Sequence, residues 1–225
     1  MRERSGIKDF DKLIEGGFPA NSTILLIGPP GVGKTIFCEQ MLNKGIELGE
    51  KCVFVTFDTH PETIKRSMKC FGWRSDADLT FLDCFSWRIG SGCNSVYAVD
   101  GLSDLNQLNM VFTDLLRDQG KESKRLVADS ISTLFLYSDP KMVPVFLQDF
   151  IAKSNSNGSI VFLTLEEGVH DDKVVSTLNY LTDGLIEMKF EEDKRYLRVS
   201  KMRYTTHKRV WVEYEITHEG IVLKL

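Results

Sequence analysis

The sequence has few of the features of an exported, membrane-bound or metal-scaffolded protein. Its cysteines, Cys38, Cys52, Cys70, Cys84 and Cys93, are five in number, and none stands in a C-x-x-C pair. An odd count without paired spacing argues against a disulfide framework and against structural zinc. Reduced thiols inside a cytosolic protein are the simpler expectation. No apolar run approaches the roughly 20 residues that a membrane-spanning helix needs. The chain begins with the charged residues Arg2, Glu3 and Arg4, which does not fit a signal peptide. These absences predict a cytoplasmic protein with no membrane partner. There is also no internal repeat, no low-complexity segment and no run of five like charges. The formal net charge is -4, so a nucleic-acid binder would need a local basic patch. The nearest basic stretch, from Lys194 to Arg209, is interleaved with strand-like residues.

What is present suits a soluble enzyme core. The chain has 225 residues, 42% hydrophobic and 27% charged, enough to bury one substantial core. Thr23 to Ile27 is a continuous apolar run, as in a strand buried on both faces. Lys34 to Leu48 has helical spacing and stops at Gly49. Val53–Phe57, Leu79–Asp83, Arg125–Asp129 and Ser159–Thr164 read as further strands. His60–Phe71, Leu102–Gln119 and Val143–Lys153 read as helices. Gly6 to Gly17 reads as a short amphipathic helix presenting Phe10, Leu13 and Ile14. Cys84 to Gly101 reads as a long irregular excursion. From Asp183 the pattern becomes Leu185–Phe190, Arg195–Met202, Val210–Ile216 and Ile221–Leu225, separated by charged turns. The predicted fold is one α/β domain. Its core, about 20–180, is a mostly parallel sheet with helices on both faces. Antiparallel strands over about 183–225 extend that sheet.

One motif carries chemistry. Gly28, Pro29, Pro30, Gly31, Val32, Gly33, Lys34 and Thr35 match G-x-x-x-x-G-K-[ST], with an apolar strand before and the helix from Lys34 after, and Ile36 in its first turn is counted with the nucleotide-binding residues. Glycines let the backbone turn so that its N–H groups face phosphate oxygens. The helix N-terminus adds partial positive charge. Lys34 can reach the β- and γ-phosphates and the Thr35 hydroxyl can ligate Mg²⁺. Asp129, at the end of the apolar run Leu126, Val127, Ala128, is the candidate second magnesium ligand. The ligand predicted is ATP or ADP with Mg²⁺. No N-K-x-D guanine signature is apparent: Asn43-Lys44-Gly45-Ile46 lacks the aspartate.

The chain also resembles the single-domain KaiC-like ATPases, common in archaea, of the RecA superfamily. The likeness covers nearly the whole chain. It rests on Ser5 to Pro19 before the P-loop, Val55-Thr56-Phe57-Asp58, Val127-Ala128-Asp129-Ser130, and Leu197 to His207. The resemblance implies a RecA-like P-loop core, nucleotide sites between subunits, and a homo-oligomer, often a hexameric ring. It implies that Asp58 is the base acting on the attacking water. Related proteins carry a glutamate pair where this chain has Asp58 and Thr59, which predicts slow hydrolysis, since a base must reach the water. The alternative is that Asp58 is a strand-end carboxylate or the N-cap of the next helix. The resemblance implies that Lys201 and Arg203 reach the neighbouring subunit's nucleotide, with His207 assisting, and strand alternation puts Lys201 and Arg203 on one face. Tyr204 replaces a usual glycine there, so the local turn is expected to differ. Thr164, at the end of its strand, corresponds to a γ-phosphate sensor.

Three functions fit. One is a slow oligomeric ATPase acting as a switch or regulator. Another is a recombinase paralogue of the RadA type, binding single-stranded DNA or a DNA-bound partner. The third is a nucleotide-binding module without turnover. The loop regions Glu166 to Asp172 and Tyr137 to Lys141 carry little positive charge, which disfavours direct DNA binding.

Overall fold

Strand and helix alternate through the first 181 residues, and four strands follow one another after them. The computed structural model describes residues 2–75, 78–90, 95–120 and 123–225. In chain order the elements are β1 (Arg2–Glu3), β2 (Phe18–Pro19), β3 (Thr23–Gly28), α1 (Lys34–Glu47), β4 (Lys51–Thr56), α2 (Pro61–Cys70), β5 (Leu79–Asp83) and β6 (Tyr97–Ala98). They continue with α3 (Leu105–Gln119), β7 (Ser123–Asp129), α4 (Leu134–Tyr137), α5 (Val143–Ser156), β8 (Ile160–Glu166) and α6 (Asp172–Leu181). The chain finishes with β9 (Gly184–Glu191), β10 (Lys194–Met202), β11 (Val212–Thr217) and β12 (Gly220–Leu223).

Ten strands form one sheet in the order β12-β11-β10-β9-β3-β8-β7-β4-β5-β6, while β1 and β2 pair separately. The strands from β9 to β6 run parallel. The hairpins β9-β10-β11-β12 are antiparallel. This is the predicted α/β class, with one correction: β9 joins the parallel core beside β3, and antiparallel pairing begins only at β10. β9 follows α6, which carries the chain back across the sheet before β9 begins, so parallel pairing is the natural outcome.

Side-chain alternation divides the core between the two faces of the sheet. On β8, Ile160 and Phe162 pack with Phe10, Phe18 and Phe37. Val161, Leu163 and Leu165 pack with Phe112, Leu147 and Phe150 on the other face. There the rings of Phe112 and Phe150 stack with centroids 4.1 Å apart. Helix starts follow local hydrogen bonding. The Asp104 carboxylate accepts from the N–H groups of Asn106 and Gln107, and Asp171 accepts from Val174.

Several predicted boundaries change. Gly6 to Gly17 does not form a helix. It holds only a 3-10 turn at Phe10–Leu13, because Asp9 and Glu15 adopt φ of 67° and 55° beside left-handed Gly16 and Gly17. Phe10, Leu13 and Ile14 are buried as expected. The strand predicted at Val210 begins at Val212, and α6 was not expected. The excursion after Cys84 contains a 3-10 turn at Ser86–Ile89 and the short edge strand β6. Positions 91–94 of it, including Cys93, lie outside the described residues. Among the described cysteines, Cys38, Cys52 and Cys84 are buried thiols and Cys70 is exposed.

Candidate functional site

The carboxyl ends of β3, β8, β7 and β4 lie side by side, and each delivers a polar residue to the same edge. In open α/β sheets this edge is where ligands bind. The turn after β3 is the P-loop. Gly31 and Gly33 sit at φ of 77° and 112°, which glycine alone adopts without strain. A Cβ on Gly31 would point into open space, whereas one on Gly28 would lie 2.6 Å from the Met188 carbonyl. The loop is therefore open around Gly31 and packed tightly at its base.

Lys34 is buried, and its ammonium has three partners. It donates to the carbonyls of Gly28 at 2.8 Å and Pro29 at 3.0 Å and to the Glu166 carboxylate at 2.9 Å. The Thr35 hydroxyl donates to one Asp129 oxygen at 2.7 Å. The other Asp129 oxygen accepts the Thr164 hydroxyl. Burial pushes the Asp129 carboxyl up to about 6, and the neighbouring Asp58 charge adds to the rise; the Thr164 and Thr35 hydroxyls and Lys34 oppose it. The oxygens of Thr35 and Asp129 thus meet at one point of the loop. That donor set suits Mg²⁺, which keeps several waters and takes only one or two protein oxygens. Among the described residues, no cluster of three or more His, Cys, Asp or Glu side chains offers a closed metal cage.

Asp58 follows β4 on the same edge. Its side chain is exposed at the mouth. Partial desolvation raises its pKa, as does the Glu166 charge, while the Thr59 hydroxyl and Arg88 pull it down. The Thr59 hydroxyl donates to Asp58 at 3.0 Å. Asp58 is not the cap of α2: that position is held by His60, whose ring nitrogen accepts from the Glu62 N–H at 3.1 Å. Thr164 does not end its strand, since β8 continues to Glu166. Val32 is fully buried, and Ile36 packs on the core beneath the loop.

Lys201, Arg203 and His207 stand elsewhere. Met202 pairs with Gly184, which pairs with Ile24, so the end of β10 lies level with the start of β3. The P-loop leaves the opposite end of β3. The separation is on the order of 15 Å at ordinary strand spacings. Strict alternation stops at a bulge after Val199, yet both basic side chains reach one corner. Lys201 donates to the carbonyls of Asn179 and Thr182. Arg203 pairs with Asp183 at 3.1 Å. The His207 ring contacts the Thr205 carbonyl at 3.1 Å. Tyr204 takes φ of 58°, a left-handed conformation that glycine adopts without strain and tyrosine rarely does.

Four residues at the site were not singled out from sequence. Glu166 reaches Lys34. Its backbone N–H donates to the Ser132 hydroxyl at 2.9 Å, which contacts the His170 ring at 2.7 Å. Arg88 donates to the Phe57 carbonyl at 3.0 Å and lies over the rings of Phe85, Trp87 and Tyr137. Glu166 shares one signal with Asp129, a carboxylate closing an apolar strand. The others come together only through tertiary contacts.

Comparison with known proteins agrees with this geometry. A UPF0273 protein of Methanocaldococcus jannaschii is 31% identical over 236 residues, covering 99% of this chain and 96% of the relative. A UPF0273 protein of Thermotoga maritima is 29% identical, covering 99% of this chain and 95% of the relative. The crystal structure of a KaiC-like protein from Pyrococcus horikoshii superposes with a TM-score of 0.82 at 28% identity, covering 100% of this chain and 99% of that one. The family model described as ATPase: KaiC matches residues 3–224. The chain belongs to the KaiC-like ATPases of the RecA superfamily.

Proposed function

We propose that this protein binds Mg·ATP at the P-loop and hydrolyses it slowly, as a homo-oligomeric ring whose nucleotide sites are shared between neighbouring subunits. Its use would be that of a nucleotide-held switch or regulator. The observation that supports this most is the convergence of Lys34, Thr35, Asp129 and Thr164 on one sheet edge. In this reading the loop amides and the α1 N-terminus hold the phosphates. Thr35 and Asp129 hold the metal, and Thr164 orients Asp129. Mg²⁺, when bound, neutralises charge on the transferring phosphoryl group. Asp58 is the base that takes the proton of the attacking water. It is one methylene shorter than a glutamate, and its neighbour Thr59 is neutral, which keeps turnover slow. Lys201, Arg203 and His207, lying at the far edge of their own sheet, act on the nucleotide of the next subunit.

The recombinase-type alternative is less favoured. The segments after β7 and β8 present Asp139, Glu167, Asp171 and Asp172, which oppose a phosphate backbone.

The test is Mg·ATP turnover per subunit against protein concentration, with Lys34→Ala and Arg203→Ala in parallel. Turnover per subunit should rise with concentration, and both variants should fall to background. Concentration-independent turnover that survives Arg203→Ala would remove the shared-site reading. Wild-type turnover equal to that of Lys34→Ala, with ATP still bound, would leave a binding module.

A further inference from the structure

The Lys34 ammonium has no vacant donor. It carries three N–H bonds, and all three are used, on Gly28, Pro29 and Glu166. Two of these acceptors are carbonyls of the loop itself. The third is a carboxylate on a rotatable side chain, about a quarter exposed, while the lysine is 5% exposed. If nucleotide binds at the P-loop as proposed above, its phosphates meet a lysine that is already neutralised. The diphosphate part of a nucleotide relies mainly on loop amides and the helix N-terminus. The loop amides cradle the α- and β-phosphates, and Lys34 reaches the β- and γ-phosphates, so the γ-phosphate depends on the lysine more than the β-phosphate does and would bring its charge against Glu166.

We infer that Glu166 is a specificity-determining residue of this site: it competes with the terminal phosphate for Lys34, so it weakens nucleoside triphosphate binding more than diphosphate binding. Triphosphate binding then requires Glu166 to swing away from Lys34. The backbone of Glu166 is tied to the Ser132 hydroxyl, which contacts His170. The His170 ring in turn lies 4.8 Å from that of Phe135. These ties hold the Glu166 backbone, so its carboxylate can swing while the main chain stays in place. This rests on the P-loop reading and adds to it the basis of triphosphate-versus-diphosphate preference.

The experiment is calorimetric titration of the full chain with Mg²⁺ and a non-hydrolysable ATP analogue, and separately with ADP. The proteins are wild type, Glu166→Gln, Glu166→Asp and Lys34→Ala. Glu166→Gln keeps the shape and removes the charge. It should tighten the analogue about tenfold and ADP less than about threefold, an effect of ordinary size for one partly buried charge. Glu166→Asp keeps the charge and should fall between. Melting of the nucleotide-free proteins checks that each variant is folded, and a general loss of structure would weaken both ligands alike. Equal shifts for both ligands, or a weaker analogue with Glu166→Gln, would overturn the inference while leaving the site intact. Binding that is absent in wild type, or undiminished in Lys34→Ala, would instead overturn the P-loop reading and the inference with it.

Discussion

The hydroxyl of Tyr214 donates a 2.6 Å hydrogen bond to the carbonyl of Val32. One residue belongs to the antiparallel extension and the other to the centre of the P-loop. Both are buried. The adjacent Gly33 leans on the same strand: a Cβ there would lie 2.9 Å from Ile216. β11 is thus the back wall of the phosphate cradle, and the C-terminal strands support the site of their own chain.

Tyr214→Phe tests that support. The ring stays, and the Val32 carbonyl loses its partner inside the core. Leaving a buried acceptor unpaired costs about 1–3 kcal/mol. The expected outcome is a urea-unfolding free energy lower by that amount, together with weaker nucleotide binding. An unchanged affinity despite the stability loss would show that the loop holds its shape without β11.

Lys201 and Arg203 should separate by readout. Lys201 is half-buried and caps the C-terminal carbonyls of α6, so Lys201→Met should cost about 1 kcal/mol of stability. Arg203 is about half exposed and its Asp183 pair is a surface one, so Arg203→Ala should change stability by less than about 0.5 kcal/mol. In the ring reading the same variant abolishes turnover. Mixing inactive Lys34→Ala with inactive Arg203→Ala should then restore about a quarter of wild-type turnover, the chance that an intact Lys34 faces an intact Arg203 across a head-to-tail interface. A mixture that stays inactive would exclude the shared site.

The features readable from sequence were those carried by neighbouring positions. The P-loop, Asp129 and the apolar strands declare themselves through residue types at fixed spacing. The contacts of Lys34 with Glu166 and of Val32 with Tyr214 span 132 and 182 positions, and no local pattern encodes them. Gly6 to Gly17 misleads for a different reason. Its apolar spacing marks what is buried, but left-handed backbone at Asp9 and Glu15 prevents a helix. Arg125 shows the same limit inside a strand. It is 0% exposed, paired with Glu50 at 2.7 Å and bonded to the carbonyls of Arg4 and Met41, so a charged residue serves the core where spacing alone reads an ordinary strand start.

Glu39 gives a pH signature. It lies four residues beyond Thr35 on α1, is fully buried, and has one carboxyl oxygen on the Ser67 hydroxyl at 2.7 Å and the other without a partner. Burial pushes its pKa up to about 8, against 4.5 when unfolded. The raised value means that the folded state holds a proton which the unfolded state releases. Stability from this group is therefore complete below about pH 4.5, falls as pH rises, and levels off above about pH 8. The loss is on the order of 4 kcal/mol over that window. Glu39→Gln removes the titration. Urea unfolding should give nearly equal midpoints for the two proteins at pH 5 and a clearly higher midpoint for the variant at pH 8.5. A difference that does not change with pH would mean that Glu39 ionises freely in the folded protein. Because α1 also carries Lys34 and Thr35, the same titration should reach the site. With Glu39 ionised, α1 carries a second buried negative charge near Asp129, and the P-loop should open more readily at high pH in wild type than in Glu39→Gln, read as faster hydrogen exchange of the α1 amides.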